Sequence, residues 1–144
     1  MLTTILSSLG ISIAFLYPNF LVLLYLYRPT ELRRDLENEQ AAEILHHAGY
    51  NSGHCGRCIA NLIRRFREGG EFPHEVGLFL SYPPEDVKGF IDHRACNFKC
   101  AGLWKVYGDE KKARELFARF KKCTEIYCAL WEAGSGIEQL AVAV

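Results

Sequence analysis

Six cysteines stand in three pairs along this chain, and their spacing sets out the first chemistry to weigh. Cys55 and Cys58 form a C-x-x-C in His54-Cys55-Gly56-Arg57-Cys58, where a glycine between the thiols allows the tight turn of a metal knuckle. Cys96 and Cys100 would complete four soft ligands for zinc or an iron–sulfur cluster, with His54 as a spare ligand. The same thiols could serve as a redox dithiol. Against both stands the absence of a second C-x-x-C. Cys58 also falls on the apolar stripe of a predicted helix, where a free thiol packs as a small hydrophobe. Cys123 and Cys128 lie about 140° apart around a helix and cannot easily share one ion.

The second chemistry belongs to His74 and Glu75. Such a pair can act as acid and base or bind a metal, although Leu78 stands where H-E-x-x-H needs its second histidine. On an extended chain adjacent side chains point opposite ways, so the plain alternative is a hydrogen-bonded His74 and a solvated Glu75. Tyr82 lies at the far end of the same segment. Trp104 beside Lys105 offers an aromatic face and a cation to a planar ligand, or simply a packed sheet face. His74, Glu75, Tyr82, Trp104 and Lys105 are therefore the candidate ligand-binding residues. No nucleophile, base and orienting group can be assembled, so no catalytic residue is assigned.

Placing these side chains requires a particular run of elements. A helix end at Thr3-Leu9, stopped by Gly10, precedes two strand-sized arms, 11–17 and 20–28, with a turn at Pro18-Asn19. Thr30 suits the N-cap of a helix over 31–37, and Gly49 closes another over 40–48. A helix over 55–68 carries Cys58, Ile59, Leu62, Ile63 and Phe66 on one face. VGLFLSY, 76–82, reads as a strand apolar enough to be buried on both faces, stopped by Pro83-Pro84. Pro84 then opens a helix to about His93, with Glu85 and Asp86 at its positive dipole end. Residues 98–107 read as a strand bent at Gly102, with Trp104 and Val106 on one face and Lys105 and Tyr107 on the other. Ala113, Leu116, Phe117, Phe120, Cys123, Tyr127 and Leu130 make the core face of a long helix over 110–132, followed by an apolar tail, 137–144, that docks. The class is α+β: a small mixed or antiparallel sheet, built from the N-terminal hairpin and two later strands, covered by helices, in a single domain over 1–144.

Composition narrows the partners. Seventeen basic residues balance seventeen acidic ones, so no net field draws the chain to nucleic acid. Glu85 and Asp86 already occupy the anion position of the helix after the double proline, which disfavours phosphate there. Leu2 to Tyr27 contains no charged residue and is followed by Arg28, Arg33 and Arg34, a pattern a membrane anchor would share. The central Pro18-Asn19 and the β-forming arms favour a buried hairpin instead. The expected partner is a protein or a small ligand.

FPHEVGLFLSYPPEDVKGFI at 72–91, LWKVYG at 103–108 and Lys122-Cys123 resemble a bacterial family catalogued as domain of unknown function 3793, common in anaerobic Gram-positive bacteria. The resemblance extends over roughly residues 20–144, with the segment before it divergent or shortened. It implies a cytoplasmic α+β protein and no particular reaction. The position of Cys55 departs from the cysteine spacing of that family. The first functional expectation is thus a small cytoplasmic binding or accessory protein. The second is a cysteine-based zinc, iron–sulfur or thiol-redox protein linked to iron homeostasis, and the third a membrane-anchored variant.

Overall fold

The computed structural model describes residues 12–16, 23–51 and 54–140, with side chains from Tyr25 onward apart from 137 and 138. The helix end expected at Thr3-Leu9, the Pro18-Asn19 turn, Ser52-Gly53 and the last four residues of the tail lie outside these residues.

The apolar arms form a hairpin. Strands β1 (Ser12–Leu16) and β2 (Leu23–Tyr27) pair antiparallel, from Ser12 opposite Tyr27 to Leu16 opposite Leu23. Among the described residues no helix is long and apolar enough to cross a membrane. Three helices follow: α1 (Pro29–Leu36), α2 (Glu39–His47) and α3 (Cys55–Glu68). Pro29 takes the first position of α1, so Thr30 lies inside the helix rather than capping it. The Asn38 carboxamide caps α2 by accepting from the Gln40 and Ala41 amides.

These helices close one core. Leu32 and Leu36 of α1, Ala41, Ile44 and Leu45 of α2, and Cys58, Ile59 and Leu62 of α3 pack with Tyr50, Leu78, Phe79 and Val87. Tyr25 and Tyr27 of β2 stack and lie against it.

VGLFLSY does not form the expected strand. Val76–Phe79 is a short helix, α4, with Gly77, Leu78 and Phe79 buried. A strand needs a neighbouring strand to satisfy its backbone, whereas a helical turn satisfies buried amides within itself. The Tyr82 amide donates back to the Gly77 carbonyl, and Ser81, at φ 59°, turns the chain out of the helix. The Tyr25 hydroxyl caps the Phe79 carbonyl from the hairpin. Pro84 opens α5 (Pro84–Asp92), as its sequence requires.

The long strand expected at 98–107 is a tight hairpin instead. Its strands, β3 (Cys100–Ala101) and β4 (Lys105–Val106), have two residues each and form a sheet separate from β1–β2. Gly102 sits in the turn, where an added Cβ would lie 2.3 Å from the Phe117 ring. Trp104 therefore belongs to the turn, and strand alternation does not set it opposite Lys105. Helix α6 (Glu110–Glu132) starts at an Asp109 cap, which accepts from the Lys112 amide, and a short α7 (Ile137–Leu140) follows. Of the stripe expected to face the core only Ala113 is buried; Leu116, Phe117, Phe120, Cys123 and Leu130 are half-buried and Tyr127 is exposed. The class is α+β, mostly helical, with small antiparallel pairs and a long C-terminal helix.

Candidate functional site

The side chains that converge are aromatic. Tyr82 follows α4, Trp104 lies in the β3–β4 turn, and their rings stack at 4.4 Å with a 27° tilt. Phe117 and Phe120 of α6 back the indole edge-on at 4.5 and 5.9 Å. Across from this wall His74 sits between Phe72 and Phe90, at 5.5 and 5.0 Å. Between the walls lies a cleft of about 380 Å³, also lined by Val76, Gly77, Val87, Leu103 and the Lys105 side chain. Ligand sites commonly measure ~300–1,000 Å³ and are mostly apolar with a few placed polar groups. Gly77 lets α4 approach Val87 and Tyr82, because an added Cβ would lie 2.9 Å from Val87 and 3.1 Å from Tyr82.

Asp86 fixes the wall. It is 2% exposed, yet its carboxylate caps nothing in its own helix's first turn. Its carboxylate accepts from Trp104 Nε1 at 2.7 Å and from the Tyr107 and Gly108 amides at 2.8 Å each. An acid at the third helical position normally reaches back to the N-cap amide. The N-cap here is Pro83, which has no N–H, so Asp86 is free to hold the hairpin. The helix-dipole role expected for this residue thus understates it: it ties α5 to β4 and orients the indole.

Lys105 contributes its stem to the cleft. Its ammonium donates to the Ala95 carbonyl at 2.8 Å and lies 4.8 Å from the centre of the Phe98 ring. There it steadies a segment in which Arg94, Ala95 and Asn97 all have positive φ.

Glu75 is not solvated. It is 3% exposed and accepts from the Tyr50 hydroxyl at 2.8 Å and Arg65 Nε at 2.9 Å. Arg65 also donates to the Ala48 carbonyl at 2.7 Å, so the trio pins α3 to the end of α2 and the start of α4. His74 is the exposed-side partner of the pair: half-buried, with no hydrogen bond to either ring nitrogen among the described residues. The two residues therefore exchange the roles that an extended chain gives them, because they enter a helix rather than a strand. Burial alone pushes the Tyr82 hydroxyl above its usual pKa, so it stays a neutral donor in the cleft.

The four cysteines expected to share a metal have different neighbours. Cys55 and Cys58 face Arg33, Leu36 and Leu45 beside His54, with Cys58 buried in the core. Cys100 lies beside Glu110 and Arg114 of α6, and Cys96 near Tyr107. All six thiols are free. Among the described residues no three His, Cys, Asp or Glu side chains gather where they could hold a metal ion. Burial raises the Cys55 and Cys58 thiols above their usual pKa; Arg33 offsets part of this at Cys55, and the neighbouring Cys55 adds to it at Cys58. Reactive dithiols have lowered values. Alkylation with iodoacetamide at neutral pH should label exposed Cys96 and Cys128 first and Cys58 only on unfolding, read by mass spectrometry. Early labelling of Cys58 would contradict this packing.

The sequence reading named Tyr82, Trp104, Lys105 and His74, and the fold brings all four to one cleft. It missed Phe72, Phe90 and Leu103, which carry no signal beyond hydrophobicity. It also missed Tyr50 and Arg65, whose link to Glu75 spans the whole of α3.

No curated protein and no solved structure matches this chain. A family model does, over residues 1–141, so the match takes in the apolar segment that the resemblance left out. The chain belongs to the family described as protein of unknown function (DUF3793).

Proposed function

We propose that this is a small cytoplasmic binding protein, a single α+β domain that holds a planar, largely apolar ring in the cleft between His74 and the Tyr82–Trp104 stack. The observation that carries this reading is that stack itself. Three separate segments supply the walls, and a buried carboxylate is committed to orienting the indole. A planar ring laid on such a wall gains contact area and offset stacking, worth roughly 0.5–1.5 kcal/mol beyond area burial for an aromatic pair.

What lines the cleft supports binding. Among the described residues it contains no Ser, Thr or Cys to act as nucleophile. Its one carboxylate, Asp86, already accepts three hydrogen bonds. Six unpaired thiols support a reducing compartment.

A thermal-shift titration with 2-naphthol tests the reading. The wild-type chain should gain Tm with a saturating dependence on 2-naphthol, as any ligand of the folded state alone must produce. Ala101→Trp, an exposed position on the cleft wall, should fill the cleft and abolish the gain. Equal shifts in the two proteins, or none in either, would overturn the proposal.

A further inference from the structure

Among the described residues the aromatic cleft has five polar side chains: His74, Tyr82, Asp86, Trp104 and Lys105. Three are committed elsewhere. Asp86 accepts three hydrogen bonds, and Trp104 gives it its only N–H. The Lys105 ammonium donates to the Ala95 carbonyl and lies against the Phe98 ring. The Tyr82 hydroxyl and both His74 nitrogens have no hydrogen bond among the described residues.

His74 is set apart from the other histidines. His46, His47, His54 and His93 are exposed, whereas His74 is half-buried between Phe72 and Phe90. A neutral imidazole has one nitrogen that donates and one that accepts. Enclosed among rings, such groups need partners. A ligand that fills the cleft displaces water from His74, so it must replace that partner or bind at a cost. The partner is neutral. With Asp86 and Lys105 committed, no permanent counter-charge is left, and enclosing an unpaired charge costs more than enclosing an unpaired neutral group.

Accepting the aromatic cleft as a ring site, we infer that its ligand is a neutral hydroxyaryl compound whose hydroxyl meets His74 while the ring lies on the Tyr82–Trp104 wall. A hydroxyl both donates and accepts, so it serves whichever imidazole nitrogen faces it. His74 thereby selects among flat rings that the apolar walls would accept alike.

Titration of the full chain with p-cresol, toluene and p-toluate tests this, at about pH 8, where phenols keep their proton. Affinity is read from the Trp104 indole N–H signal. The p-cresol to toluene ratio should fall about fivefold in His74→Phe, through p-cresol alone, as loss of one neutral hydrogen bond requires. Unchanged toluene binding shows that the substituted cleft is intact. In the wild-type chain the ¹⁵N signals of the His74 imidazole should move with p-cresol and stay with toluene, a reading that needs no substitution. p-Toluate should bind more weakly than p-cresol. If His74→Phe weakens p-cresol and toluene equally, or neither, or if p-toluate binds as well as p-cresol, the hydroxyaryl ligand is wrong and the ring site survives. If none of the three moves the Trp104 signal, the ring site itself fails and the inference with it.

Discussion

Asp86→Ala should be the most damaging single substitution in this protein, lowering stability by about 3–5 kcal/mol. The carboxylate is buried and takes three donors at 2.7–2.8 Å. Alanine leaves the Trp104 indole N–H and two backbone amides without the acceptor they share. Each stranded buried donor costs roughly 1–3 kcal/mol, and the three share one acceptor, so the sum is less than additive. With total stability of ~5–15 kcal/mol usual for a domain, the variant sits near the edge of folding. Asp86→Asn is the informative companion. Its carbonyl oxygen can serve the Tyr107 and Gly108 amides, but its amide nitrogen cannot accept from Trp104. A loss of about 1–2 kcal/mol is expected, together with release of the indole. Urea midpoints report the first effect and Trp104 emission the second. An Asp86→Ala protein as stable as wild type would remove the lock from the account.

Glu75→Ala should follow, at about 2–4 kcal/mol. Breaking a buried pair from one side leaves the other charge uncompensated. Arg65 is a third exposed and can turn partly to water, which holds the cost below that of a fully buried pair. Tyr50→Phe, which removes one neutral-to-charged bond, should cost about 1.5 kcal/mol. Its effect should vanish in a Glu75→Ala background, since the two groups act through one contact. The same contact sets an alkaline limit. Burial first, then the bond to Glu75, raises the Tyr50 phenol well above its usual 10, and burial raises Tyr25 as well. Both stay protonated in the fold, while the unfolded chain releases these protons from about pH 10. The stability they contribute is whole below that pH and falls as pH climbs beyond it. Tyr50→Phe should flatten part of the fall.

These effects show where the sequence was legible. Pro84 as the first residue of α5, the helix over Cys55–Glu68 and the pairing of the two apolar arms follow from local rules, and the structure has them all. VGLFLSY misled because a short apolar run between breakers looks the same whether strand or helical turn buries it. Only the lack of a neighbouring strand decides, and that is not a local property. The long α6 stripe misled for the opposite reason: its periodicity is real, but among the described residues only Ala113 of it is buried.

The candidate site was half legible. An aromatic beside a lysine and a tyrosine before a double proline were visible as ligand-type residues. That Trp104 and Tyr82 stack was not, since it depends on the hairpin folding back over α5. Asp86 carried one unread clue. An acid at the third helical position behind an N-cap proline cannot close a capping box, so its carboxylate must find another partner.

The central claim is that the Trp104 wall receives a ring, and the chain's two tryptophans allow a direct test. Trp104 lines the cleft with its N–H on Asp86, and Trp131 is 62% exposed on α6. A ¹H–¹⁵N spectrum of the indole groups, assigned with Trp131→Phe, can be followed as 2-naphthol is added. The account predicts that the Trp104 signal moves and saturates while the Trp131 signal stays in place. A stationary Trp104 signal, or a larger movement at Trp131, would contradict it.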